Sequence, residues 1–210
     1  MRNSVSRTIL SLCVLFGLGL GAGCGGGSSN GGTTGNEQLV GKWDSTGCET
    51  YTLSTGDSSY LKRSLSYSST DATLTTMIYN EKDCLTLFGM SVFGAKYTLG
   101  AASATLPGAS EIDYAITTRT VTPLTNNAVA ALNSTIGGAC GSGNWTLNQS
   151  GDVAQIGCPV LGIPSRSACP KELDLVKVDG DNLSTGDRTT IDACKTRPTA
   201  LITQVVVKAK

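Results

Sequence analysis

Eight cysteines are the residues best placed to do chemistry in this 210-residue chain, and no histidine accompanies them. Without an imidazole there is no Ser-His-Asp or Cys-His machinery and no His-rich metal site. No C-x-x-C pair occurs among Cys13, Cys24, Cys48, Cys84, Cys140, Cys158, Cys169 and Cys194, which argues against zinc and dithiol redox sites. Carboxylates are the remaining acid/base candidates, in two clusters: Glu111 with Asp113, and Asp179, Asp181 and Asp187. Glycoside hydrolysis would need two carboxyls about 5–10 Å apart in a cleft. The later cluster sits on the turn-forming Asp179-Gly180-Asp181-Asn182 and lacks the D-x-D-x-D-G order of a calcium loop. Gly-Ser-Gly at 141–143 reads as a loop, and neither a P-loop nor a dinucleotide fingerprint is present. The chain therefore reads as non-enzymatic, without cofactor or metal.

The N-terminus reads as an export signal. Arg2 and Arg7 precede an apolar run from Ile9 to Leu20, about a dozen residues where a permanent span needs roughly 20. Leu20, Gly21, Ala22 and Gly23 lead directly into Cys24. This arrangement resembles the lipobox of bacterial lipoprotein signal peptides. The resemblance implies removal of residues 1–23, lipidation of Cys24 (palmitate among its acyl chains), and a membrane held through that anchor, since several chains anchor stably where one is marginal. An ordinary secretory cleavage near Ala22 is the alternative. No acidic residue follows Cys24 directly, which resembles lipoproteins sent to the outer membrane, so the expected location is the bacterial cell envelope. Residues 24–36 form a Gly/Ser-rich tether whose last twelve residues have a coil reach of about 20 Å. Residues 37–210 are left as one domain, a length that argues against two.

Export changes what the cysteines mean. With Cys13 in the apolar run and Cys24 set aside, Cys48, Cys84, Cys140, Cys158, Cys169 and Cys194 form an even set that reads as three disulfides. Fifteen connectivities are possible. Sequential pairing (48 with 84, 140 with 158, 169 with 194) is expected because each consecutive pair brackets a plausible hairpin or strand pair, each loop contributing about 3–4 kcal/mol on the chain-entropy model. Sixteen basic and sixteen acidic residues balance, and no basic patch points to nucleic acid. Four Asn-x-Ser/Thr sequons, at Asn133, Asn144, Asn148 and Asn182, are read as unmodified turn or surface residues in a bacterial setting.

The elements that must position these residues are strands. Alternation at 60–67 and 72–79, with Thr, Val, Ile and Tyr enrichment and Gly/Asp/Asn punctuation, is a strand signature. Further strands are expected at 84–88, 92–99, 111–121, 144–149, 153–156, 172–178, 182–184 and 199–208. One helix is expected at about Asn126–Ser134, capped by Thr125 or Asn126. Short strands in this number predict an all-β fold, an antiparallel barrel or sandwich.

Leu39-Val40-Gly41-Lys42-Trp43 opens the domain, and a G-x-W on the first strand of an exported β domain resembles the lipocalin (calycin) family. Asp113-Tyr114 is a partial echo of a second motif of that family, and Tyr79 followed by Cys84, the Cys140 to Trp145 stretch and Arg197-Pro198 resemble small bacterial lipoproteins with lipocalin-like domains. The resemblance implies a lipocalin-like barrel of about 8–10 strands in which Gly41 and Trp43 form the floor and Arg197 lies across the indole. Such barrels either fill with their own side chains or enclose one small ligand. The expected function is thus a lipid-anchored envelope protein that binds a small apolar ligand, with a structural or protein-interaction module (adhesin- or inhibitor-like) without a cavity as the alternative.

Overall fold

The computed structural model describes residues 35–52, 58–134 and 140–210. The expected signal segment, Cys24 and the tether up to residue 34 lie outside the described residues. A single helical turn, α1 (Gly35–Leu39), takes up the last two tether residues and leads into β1 (Gly41–Ser45) and β2 (Glu49–Thr52). β3 (Ser58–Tyr67), β4 (Asp71–Tyr79), β5 (Leu87–Ala102) and β6 (Ser110–Pro123) follow as long antiparallel neighbours. Helix α2 (Asn126–Asn133) and the two-residue β7 (Gly151–Asp152) precede β8 (Lys171–Asp179), β9 (Asn182–Thr185) and β10 (Val206–Lys208).

β1 closes the barrel by pairing with β10 on one side and β3 on the other. The ring runs β1-β10-β9-β8-β6-β5-β4-β3 and back, eight antiparallel strands. β1 and β2 share β3 as a partner, β1 beside Ser64–Tyr67 and β2 beside Ser58–Leu61. The staple Cys48–Cys84 fixes the β1–β2 corner to the turn after β4, Cys140–Cys158 closes the segment after α2, and Cys169–Cys194 ties the entry to β8 to the segment after β9.

Two apolar clusters hold the chain together. Inward residues at alternate positions (Leu65 and Tyr67 on β3, Ala95 and Tyr97 on β5, Ile112 and Tyr114 on β6) join Trp43, Leu183 and Val206 inside the barrel. A smaller cluster of Val121, Leu132, Trp145 and Val153 sits under α2 and β7. A register shift opposite Gly94/Ala95 leaves Thr117 and Thr118 both exposed, and it switches the inward phase of β6 from even positions (Ile112, Tyr114, Ile116) to odd ones (Arg119, Val121). That switch is what turns Arg119 into the interior.

The helix begins where the sequence placed it, with Thr125 Oγ1 accepting from Ala128 N at 3.1 Å. Four strand expectations change, the first at 153–156, where a turn follows the two-residue β7 and only Gly151 and Asp152 pair with β6. The segments 84–88 and 92–99 give way to one continuous strand from Leu87, because Gly89–Ser91 pair with β4 on one side and β6 on the other. Residues 144–149 form no strand: Asn144 and Asn148 take left-handed φ values of 59° and 61°, and the Asn133 amide replaces a neighbouring strand by bonding both Trp145 N and Trp145 O. Residues 199–208 pair only at Val206–Lys208 and through a bridge from Leu201 to Gly186.

Candidate functional site

The barrel is filled at one end and hollow at the other. Trp43 fills the first: it is fully buried, and its indole N–H donates to Leu39 O at 2.9 Å, so α1 becomes part of the floor. Gly41 has φ +136°, a conformation that side-chain-bearing residues rarely adopt, and a Cβ there would meet Lys208 Cε at 3.1 Å. The cation over the Trp43 ring is Lys208, 5.3 Å from its centroid, rather than Arg197. Register explains this, since Trp43 and Lys208 face each other across β1 and β10.

Arg197 instead ties the outer side of β6 to β8. It donates to Ile112 O (2.9 Å), Asp174 O (2.6 Å) and Asp113 Oδ1 (2.6 Å), with Glu111 Oε2 3.4 Å away. Glu111 and Asp113 are therefore ion-pair partners of a structural arginine, not an acid/base couple in a cleft. Asp179 and Asp181 shape the β8–β9 hairpin, and Asp187 Oδ1 accepts from Thr189 N and Oγ1. Burial pushes the Asp113 carboxyl up, but hydrogen bonds from Lys171 and Arg197, with their charges, outweigh it and hold it below the ordinary carboxylate value. A depressed carboxylate contributes stability that is present above its unfolded pKa and lost as pH falls through the folded one. Asp113→Asn is accordingly expected to cost up to about 1 kcal/mol at neutral pH and progressively less as pH falls through the folded pKa. Thermal melts across a series of falling pH values check this; a deficit that does not shrink in acid would contradict it.

The hollow end is a cavity of about 330 Å³ from which Trp43 is absent. Leu61, Leu65, Leu74, Phe93 and the ring of Tyr114 make its apolar wall. Charged groups form a band within the same wall: Glu49, Arg63, Arg119, Glu172, Asp174 and Arg188. Each is satisfied within the protein. Arg63 Nε bonds Glu49 at 2.8 Å while its other nitrogens reach Thr185 Oγ1 and Gln204 O, which clasps β3 to β2, β9 and the strand-free segment before β10. Arg119 pairs with Glu172, donates to Pro164 O at 2.6 Å, and lies 5.5 Å from the Phe93 ring centroid. Arg188 bridges Glu172 and Asp174, the latter at 2.6 Å. Asp174 is nearly inaccessible, and its Oδ1 also accepts from Leu175 N and Gly186 N. Burial raises the Asp174 carboxyl despite Arg188 beside it. Burial works against the Arg188 charge, but Asp174 and Glu172 outweigh that and hold it protonated.

Two phenols complete the wall. Tyr67 and Tyr114 sit with hydroxyl oxygens 2.7 Å apart, each ring edge-to-face with another aromatic: Tyr67 with Tyr97, Tyr114 with Phe93. Burial raises both phenols far above their usual range, so they stay protonated. Tyr114 entered the sequence reading only through the Asp113-Tyr114 echo, and neither Tyr67 nor any residue of the charged band stood out there. Glu172 and Asp174 carried a signal all the same, for they share the even-numbered face of β8 with Val176 and Val178, and acidic residues on an apolar face need buried partners.

A family model described as Adenomatosis polyposis coli down-regulated 1 matches residues 29–189. The match spans every member of the charged band and stops before Arg197 and β10. No curated protein matches the chain. The family match corrects two expectations: it is to a eukaryotic family, so the bacterial lipoprotein of lipocalin type, and the outer-membrane location that followed from it, are set aside. The G-x-W likeness held for the fold, an eight-stranded antiparallel barrel with Trp43 buried at one end, and failed for the family. Most of its length being matched, the chain belongs to the Adenomatosis polyposis coli down-regulated 1 family.

Proposed function

We propose that this domain is a non-enzymatic binding protein that holds one small apolar ligand in the hollow half of its barrel. The cavity of about 330 Å³ carries the reading, because it falls in the range of small-molecule sites and combines an apolar wall with a few convergent polar groups. Among the described residues, every carboxylate and arginine of its lining is engaged in an ion pair, which suits a carrier or receptor better than a catalyst.

Native mass spectrometry of the full chain, purified without detergent, tests this. The expected spectrum contains a complex heavier than the polypeptide by one small molecule, which organic solvent extracts. A bare polypeptide that takes up no apolar compound on incubation, and instead travels with a defined protein partner, would favour the interaction-module reading.

A further inference from the structure

We infer that the cavity selects an amphiphile with an uncharged, hydrogen-bond-accepting polar group, and that Tyr67 and Tyr114 read that group. This rests on the ligand reading above and names the chemical class the same cavity takes. Two observations carry it.

First, charge in the wall is balanced and already engaged. Among the described residues, the lining holds the cations Arg63, Arg119 and Arg188 and the anions Glu49, Glu172 and Asp174. Arg63 meets Glu49, Arg119 meets Glu172, and Arg188 meets both Glu172 and Asp174. A ligand carboxylate or phosphate would have to displace a carboxylate from its arginine. A ligand ammonium would have to displace an arginine from its carboxylates. Either exchange strands a buried charge, and bringing an unpaired ion out of water is itself costly.

Second, the phenol pair has one donor to spare. Two hydroxyls sharing a single hydrogen bond leave one O–H without a partner among the described residues. Both phenols line the cavity, and neither ionises near neutral pH. A hydroxyl, ether or carbonyl oxygen on the ligand would accept that proton and satisfy the group, whereas a hydrocarbon would leave it unmet.

Isothermal titration of the full chain with 1-decanol, decanoate and decylammonium at neutral pH separates these possibilities, the two ions below their micelle concentrations and decanol below its solubility limit. Decanol is expected to bind about tenfold more tightly than either ion, the scale of one buried polar group left unpaired. In Tyr67→Phe/Tyr114→Phe decanol should bind about tenfold more weakly, while the disfavour toward the two ions, which comes from the engaged ion pairs, remains, and saturable binding of the neutral aromatic probe N-phenyl-1-naphthylamine checks that the cavity is intact. If an ion binds as well as or better than decanol, the head-group inference is overturned and the cavity remains a ligand site. Should none of the three alkyl ligands and no naphthylamine bind, the ligand reading itself fails. If the double variant binds decanol as tightly as the wild type, the tyrosines do not read the head group.

Discussion

Arg188→Met is expected to destabilise the barrel by about 3 kcal/mol, well beyond the cost of breaking an exposed ion pair. The methionine keeps the length of the stem, so the cavity wall stays covered, but Glu172 and Asp174 lose the guanidinium that joins them. Asp174 is almost wholly buried, and breaking a buried pair by removing one partner leaves an uncompensated charge that typically costs about 3–5 kcal/mol. The lower end applies because 31% of the Arg188 side chain remains exposed.

The sign of the pH dependence follows from the same geometry. Burial already raises the Asp174 carboxyl, and Arg188 is the largest influence pulling it down. Without that cation the folded pKa rises further above the unfolded one, so the folded state binds a proton more tightly. The penalty is present in full above the folded pKa and shrinks as pH falls through it. Adding Asp174→Asn to Arg188→Met should recover part of the loss at neutral pH, because the charge is gone even though the hydrogen bonds are imperfect. Urea denaturation of the three proteins checks this. An Arg188→Met variant within about 0.5 kcal/mol of the wild type, the level of an ordinary surface change, or no recovery in the double variant, would show that the band is not held as buried ion pairs.

The strands were the most legible part of this chain. β3 and β4 alternate most clearly beside the turn that joins them, where Leu65, Tyr67 and Ala72 are buried and Ser66, Asp71 and Thr73 are exposed. Helix α2 announced itself through its Ala-rich run and the Thr125 cap. The paired cysteines were legible for a local reason: each pair flanks one excursion of the chain.

What was hidden depended on long-range register. The shift opposite Gly94/Ala95 has no side-chain signature, yet it decides that Arg119 points inward and Thr118 outward. Arg63 and Glu49 meet because β2 lies along the same edge of β3 as β1, a pairing that no local pattern encodes. Arg197 and Lys208 are both basic residues near the last strand, and only the facing of Trp43 and Lys208 across β1 and β10 decides which one covers the indole. The misplaced strand at 144–149 has the same origin. Trp145 is buried as a strand residue would be, but it is held there by the Asn133 side chain and by its own indole N–H donating to Cys140 O at 2.9 Å.

Occupancy of the hollow half is the centre of the functional account, and filling it should abolish binding. Thr76 lines the cavity from β4, opposite Arg63 across the β3–β4 register and only partly buried, so an indole at this position has open space in front of it. Over-packing a filled core costs about 1–3 kcal/mol, and less is expected where the added ring enters a void. Titration of the wild type and of Thr76→Trp with N-phenyl-1-naphthylamine, followed by its fluorescence, is the most direct measurement. The wild type should show a saturable increase with one site per chain, and Thr76→Trp should show none while unfolding at nearly the same temperature. Undiminished binding by a folded Thr76→Trp variant, or no saturable binding by the wild type, would contradict a ligand site inside the barrel.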